Sequence, residues 1–237
     1  MTKVIIVEGM DNTGKSTLIN QYIQVRTALN PVVNIEVIHM EKPPQDVSKE
    51  ELSKFQHKTY MNMVDRLRDL IAMRDAPDYI ILDRAWISEY VYGPYYRQRD
   101  KSEIIIDNLV IEKKILDLFG NDNVYLVFLY VNNLEFIKSK EDGKSLAIIN
   151  GYKLYPDYNF PVVPGATPFP GTDPKKRKQE RDLYIKRARE YEDTEFRYCF
   201  DNITIIKNKI PIKANRDGSD SQFDNSMIVQ MFDFIHN

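Results

Sequence analysis

Residues 4–17 constrain this chain more than any others. Val4-Ile5-Ile6-Val7 is an apolar run suited to a buried strand, and it leads into Glu8-Gly9-Met10-Asp11-Asn12-Thr13-Gly14-Lys15-Ser16-Thr17. That stretch contains G-x-x-x-x-G-K-S, and a helical pattern follows it. Strand, loop and helix in this order are the context in which the motif cradles phosphate. Gly9 and Gly14 permit backbone angles and a close approach that a side chain would block. The successive N–H groups of Asn12, Thr13 and Gly14, and of Lys15, Ser16 and Thr17 at the helix start, can point at phosphate oxygens. Lys15 reaches the terminal phosphates, and the Ser16 hydroxyl can hold Mg2+. The chain is therefore expected to bind a nucleoside triphosphate, with ATP as phosphoryl donor.

Composition narrows what the rest can be. At 237 residues the chain is expected to form one domain with a sizeable core. A net charge of −2 argues against stable binding to a nucleic-acid backbone, which needs a basic face. The single cysteine, Cys199, excludes an internal disulfide and fits a reducing compartment. The chain starts directly on a strand-like run, and no apolar run approaches the ~20 residues of a membrane span. A cytoplasmic setting is expected.

Strand-like and helix-like segments alternate. Strands are expected at Val4–Val7, Val32–His39, Asp78–Asp83, Val124–Val131 and Ile203–Ile206. Helices are expected at Ser16–Leu29, Ser48–Arg74, Ser102–Phe119, Lys175–Phe200 and Phe223–His236. In the third of these, Ile105, Leu109, Ile115 and Leu118 can share one face. Such alternation implies parallel strands joined by right-handed crossovers. The expected fold is α/β, a three-layer doubly wound parallel sheet of five strands in the order 2-3-1-4-5, with ligands at the carboxyl ends of the strands. One stretch breaks the alternation. Residues 151–174 hold six of the twelve prolines, with Tyr152, Tyr155, Tyr158, Phe160 and Phe169 among them. Those aromatics argue for packing against something rather than free solvation.

A second motif opens where the third strand ends, at Asp83-Arg84-Ala85-Trp86-Ile87-Ser88-Glu89-Tyr90-Val91-Tyr92-Gly93-Pro94. A carboxylate ending a strand beside the loop can hold the metal and its water shell. Arg84 offers a planar fork suited to phosphate. Asp83 could equally be a plain helix cap with Arg84 in solvent. Trp86 and Tyr90 could stack on a base or belong to the core. His39, His57 and His236 show no metal spacing.

Together the two motifs resemble the thymidylate kinase branch of the nucleotide kinases. Residues 8–17 are similar to that family's E-G-x-D-x-x-G-K-S-T, and residues 83–92 to its D-R-x-x-x-S-x-x-x-Y, with Ser88 and Tyr92 in place. Asp65-Arg66 looks like the family's base-reading arginine. The longer run S-E-Y-V-Y-G-P-x-Y-R also looks like bacteriophage kinases. The resemblance covers roughly the first 140 residues. It implies phosphoryl transfer from ATP to a deoxynucleoside monophosphate, dTMP first, in a chain that can dimerise. It puts Asp11 near the sugar 3′-hydroxyl, Arg84 on the acceptor phosphate and Arg66 on a pyrimidine carbonyl. Lys15, Asp11, Asp83 and Arg84 then form the catalytic set, with Ser16 and Asp83 on the metal.

Three departures qualify the match. Gly93 stands where the family often has glutamine, which weakens strict thymine selectivity. The second strand ends in Met40-Glu41-Lys42-Pro43-Pro44 rather than an arginine–glutamate–proline signature, so Lys42 replaces a fork by a point charge. The expected lid, about 136–150, offers Lys138, Lys140 and Lys144 to the donor phosphates where arginines are usual. Glu41 also keeps a deoxynucleoside kinase open, because a hydroxyl acceptor needs a base. A kinase acting on a modified pyrimidine in DNA needs a basic approach that the net charge disfavours. A nucleotide-dependent switch or motor usually carries a neighbouring catalytic acid or a guanine-reading motif, and Arg84 directly after Asp83, with the short chain, argues for a kinase.

Overall fold

Runs that are apolar on both faces belong in the middle of a covered parallel sheet. Such runs form the centre of the computed structural model, which describes residues 1–10, 13–40, 47–96, 99–131, 174–192, 200–208 and 225–236. The strands are β1 (Lys3–Glu8), β2 (Ile35–His39), β3 (Tyr79–Asp83), β4 (Val124–Val131) and β5 (Asn202–Asn208). They pair in the order β2-β3-β1-β4-β5, all parallel, as expected. Register aligns Val7 and His39 with Asp83, and Glu8 with Phe128. The carboxyl ends of β1, β2 and β3 thus share one edge.

Among the described residues six helices cover the two faces: α1 (Lys15–Leu29), α2 (Lys49–Ala72), α3 (Ile87–Tyr96), α4 (Lys101–Phe119), α5 (Pro174–Glu192) and α6 (Asn225–His236). One core joins Val4, Ile6, Ile80, Leu82 and Leu126 to α2, α3, α4 and α5. The other joins Ile5, Val7, Ile81 and Val127 to α1 and α6. α2 starts on a complete capping box, Ser48 with Glu51, which satisfies two backbone donors that the helix leaves open. No helix among the described residues is long and apolar enough to cross a membrane. The expected lid (about 136–150) and all but the last residue of the expected insert (about 151–174) lie outside the described residues.

α4 corrects one expectation. The buried face carries Ile104, Asn108, Ile111, Glu112, Ile115 and Phe119. Ile105 and Leu109 are instead 37% and 41% exposed, beside exposed Ile106 and Val110. The reason is the partner. Trp86, just before α3, presents a polar group to α4, its Nε1 donating to Glu112 Oε1 at 2.9 Å, so the most apolar face is not the buried one. Trp86 is 0% exposed and Tyr90 5%, which makes both core residues. Leu29, an apolar residue ending α1, is 64% exposed.

At the far end of α6, His236 stacks on Tyr22 with ring planes 10° apart and centroids 6.2 Å apart. The Tyr22 hydroxyl lies 3.1 Å from His236 Nε2. Burial, with Arg26 and Lys3 adding to it, pushes His236 down from 6.5 to about 4. The unfolded chain therefore takes up a proton near pH 6.5 that the folded chain refuses until about pH 4. The stability His236 contributes is complete above 6.5 and is lost as pH falls towards 4. Melting temperature should fall more steeply across that window in the wild type than in His236→Phe. Equal slopes would refute the assignment.

Candidate active site

The loop after β1 is shaped by its glycines. Gly9 has φ +150°, and a Cβ there would lie 2.1 Å from the backbone oxygen of Leu129, so no larger residue lets the loop pass β4. Gly14 takes φ 100° as it leads into α1, a left-handed angle that glycine adopts without strain. Thr13 Oγ1 donates to the Met10 carbonyl at 2.9 Å and holds the loop on itself. Lys15 is 7% exposed. Its Nζ donates to the carbonyls of Gly9 at 2.9 Å and Met10 at 2.8 Å, across the hollow of the loop.

α1 packs on the face of the sheet towards which Asp83 turns. Ser16 Oγ donates to Asp83 Oδ2 at 3.1 Å, and His39 Nδ1 lies 3.1 Å from the same oxygen. A hydroxyl and a carboxylate side by side are the hard oxygen donors Mg2+ takes. These two residues therefore fit the metal that the loop chemistry implies.

Arg84 turns the other way, and its backbone is strained. It has φ +70°, an angle a non-glycine residue holds at a cost of about 1–3 kcal/mol unless its surroundings enforce it. Here they do. The Arg84 N–H donates to the Val7 carbonyl at 3.1 Å. The Ala85 N–H donates to Glu8 Oε1 at 2.7 Å, and Ser88 Oγ donates to Glu8 Oε2 at 2.8 Å. The Tyr184 hydroxyl donates to Ser88 Oγ at 3.1 Å, and Arg84 Nη1 lies 3.4 Å from Tyr184 Oη and 3.5 Å from Ser88 Oγ. The guanidinium sits over the Tyr92 ring, 5.6 Å from its centroid. Tyr92 meets Tyr184 edge-on at 6.0 Å. Burial raises the Glu8 carboxyl above its ordinary range, against the pull of Arg84, Ser88, the Ala85 N–H and Lys15. Burial likewise raises Tyr184 well above the usual tyrosine value, which keeps its hydroxyl proton in place to donate.

The structure thus brings together Gly9, Thr13, Gly14, Lys15, Ser16, Asp83, Arg84, Ser88 and Tyr92 at one edge. Thr17 is exposed in the first turn of α1. Asp11, Asn12, Glu41, Lys42, Lys138, Lys140 and Lys144 lie outside the described residues. Arg66 is set apart. It lies on the outer side of α2, 53% exposed, and its Nη2 is 2.5 Å from Glu36 Oε1. Glu36 is three residues before the strand end at His39, about 10 Å down the sheet from the loop edge. The fold thus gives Arg66 a surface ion pair on the body of β2, not a place beside Arg84.

Two residues of the site escaped the sequence reading, Glu8 and Tyr184. Glu8 carries the same signal that singled out Asp83, an acid ending an apolar strand. Tyr184 has none, because it lies 100 residues after Arg84 in a charged helix.

Sheet order and loop geometry define a P-loop fold. No family model and no curated protein matches the chain. Among solved structures it matches thymidylate kinase from Ehrlichia chaffeensis over 99% of both chains, at TM-score 0.58 and 12% identity. Thymidylate kinase from Candida albicans also matches, over 99% of this chain and 91% of that one, at TM-score 0.46 and 14% identity. The chain has the fold of the thymidylate kinase from Ehrlichia chaffeensis.

Proposed function

We propose that this protein is a nucleotide kinase that moves the γ-phosphoryl group of ATP to a deoxynucleoside monophosphate, with dTMP the first candidate. The observation that carries this reading is the meeting of Lys15, Ser16, Asp83 and Arg84 at one sheet edge. Lys15 and Arg84 are the cationic groups that this reading assigns to the donor and acceptor phosphates. On binding, Lys15 exchanges the Gly9 and Met10 carbonyls for oxygens of the donor. Ser16 and Asp83 would hold Mg2+, which would supply positive charge against the terminal phosphates. Arg84 holds the acceptor phosphate in line. An acceptor oxygen attacks the γ-phosphorus as its bond to the β–γ bridging oxygen breaks, and ADP leaves. The attacking oxygen is already anionic, so positioning and electrostatics carry the catalysis.

Asp11 towards the 3′-hydroxyl, Glu41 and Lys42 on the acceptor side, and Lys138, Lys140 and Lys144 on the donor side belong to the same reading. So do a cytoplasmic setting, where ATP is supplied, and a second copy of the chain as partner. The test is ADP release from ATP and Mg2+ with each deoxynucleoside, each monophosphate and a duplex carrying a modified pyrimidine. Turnover should appear with monophosphates. A general base contributes about 10²–10⁴-fold, so Glu41→Gln should lower turnover on monophosphates by less than about tenfold. Turnover with nucleosides alone, abolished by Glu41→Gln, would make it a nucleoside kinase instead.

A further inference from the structure

The Asp83 carboxylate has a second support besides Ser16, and it comes from β2. Register pairs His39 with Asp83 across neighbouring parallel strands. Paired residues on adjacent strands turn to the same face of a sheet, with their backbones about 4.8 Å apart. Here that is the α1 face. Val37 and Ile81, two residues earlier on each strand, belong to the core that holds Leu18, Ile19 and Tyr22 of α1. The sheet itself, rather than a loop, carries the imidazole to the carboxylate.

Both contacts fall on one oxygen. Ser16 Oγ donates to Asp83 Oδ2 at 3.1 Å, and His39 Nδ1 lies 3.1 Å from the same atom. An ionised carboxylate only accepts, so the His39 proton that serves this contact sits on Nδ1. The last torsion of an aspartate is broad and roughly two-fold, and two donors on Oδ2 narrow it. Ser16 is assigned to the metal as well, whereas His39 has Asp83 alone to hold. The Asp83 side chain is 11% exposed and that of His39 64%. A pair with one partner so open to water contributes little to stability. Its effect is on where the carboxylate points.

We propose that His39 is a positioning residue for the divalent metal, its Nδ1–H holding Asp83 in the orientation that receives Mg2+ beside Ser16. Partners that orient a metal-binding carboxylate typically account for about 10–100-fold in metal affinity. This assignment rests on the kinase reading above.

Two substitutions separate the donor from the ring. His39→Phe keeps the ring and removes the N–H. His39→Asn keeps an N–H two bonds from Cβ, where Nδ1 stands. The readout is Mn2+ held by the ADP-saturated protein, taken from the enhancement of water-proton relaxation, which separates it from Mn2+ on ADP alone. His39→Phe should weaken Mn2+ about tenfold or more, and His39→Asn should stay within about threefold of the wild type. The Mg2+ concentration for half-maximal turnover should rise in step in His39→Phe, with the acceptor KM within about twofold. Calorimetric ADP binding in EDTA and the melting temperature should match in all three proteins, because neither involves the metal. Equal Mn2+ affinity in His39→Phe and wild type overturns the His39 assignment, and so does an Asn variant as weak as the Phe one. A lower melting temperature with weaker ADP binding in EDTA overturns it too, since that is the mark of a merely structural role. A wild type that binds Mn2+ and ADP but phosphorylates no monophosphate overturns the kinase reading alone.

Discussion

Lys15→Ala should lose phosphoryl transfer by about 10²–10³-fold or more, the loss seen when one preorganised charge-stabilising donor is removed. The side chain crosses the hollow of the loop and donates to the Gly9 and Met10 carbonyls. Those oxygens can turn to water once the lysine is gone, so the loop keeps its path. The path itself is set by Gly9 passing the Leu129 carbonyl and by Thr13 holding Met10. Melting temperature should therefore change little while ADP release collapses. Near wild-type turnover with magnesium-ATP would remove the loop from the donor role.

Glu8→Leu should damage both stability and acceptor use. Glu8 is 0% exposed, and its two oxygens accept from the Ala85 N–H and the Ser88 hydroxyl. Leucine leaves both donors without that acceptor, at about 1–3 kcal/mol each. It also frees Arg84 from the contacts that enforce its φ of +70°. A loss of several kcal/mol is expected in denaturant unfolding. Glu8→Gln separates the two effects. It keeps the shape and an acceptor oxygen for Ala85 but removes the charge facing Arg84. A charge-assisted bond becomes a neutral one, a difference of about 1–2 kcal/mol. That corresponds to about 5–30-fold in kcat/KM for the monophosphate, with the KM for ATP nearly unchanged. If Glu8→Gln instead weakens ATP and spares the acceptor, Glu8 positions the loop rather than Arg84.

The signals read most securely from the chain were local in sequence. The run Val4–Val7 with its glycine–lysine loop, and the β-rich run Val124–Val131, are backbone instructions written in adjacent residues. The alternation of such runs with helical periods led to the parallel sheet and the order β2-β3-β1-β4-β5. The convergence of Lys15, Ser16 and Asp83 followed, because β1 and β3 end at the same edge.

Which side chains face one another is not local, and there tertiary structure decided. Ile105 and Leu109 have the right chemistry for a core, yet the turn before α3 offers a carboxylate partner, Trp86, to the opposite side of α4, and Glu112 is buried in their place. Arg66 sits in a motif-like pair, but the rise of α2 carries it down beside Glu36. Tyr184 joins Arg84 only because α5 crosses β4 and α3. Periodicity states which side of an element is apolar. Only the neighbouring element states what that side will meet.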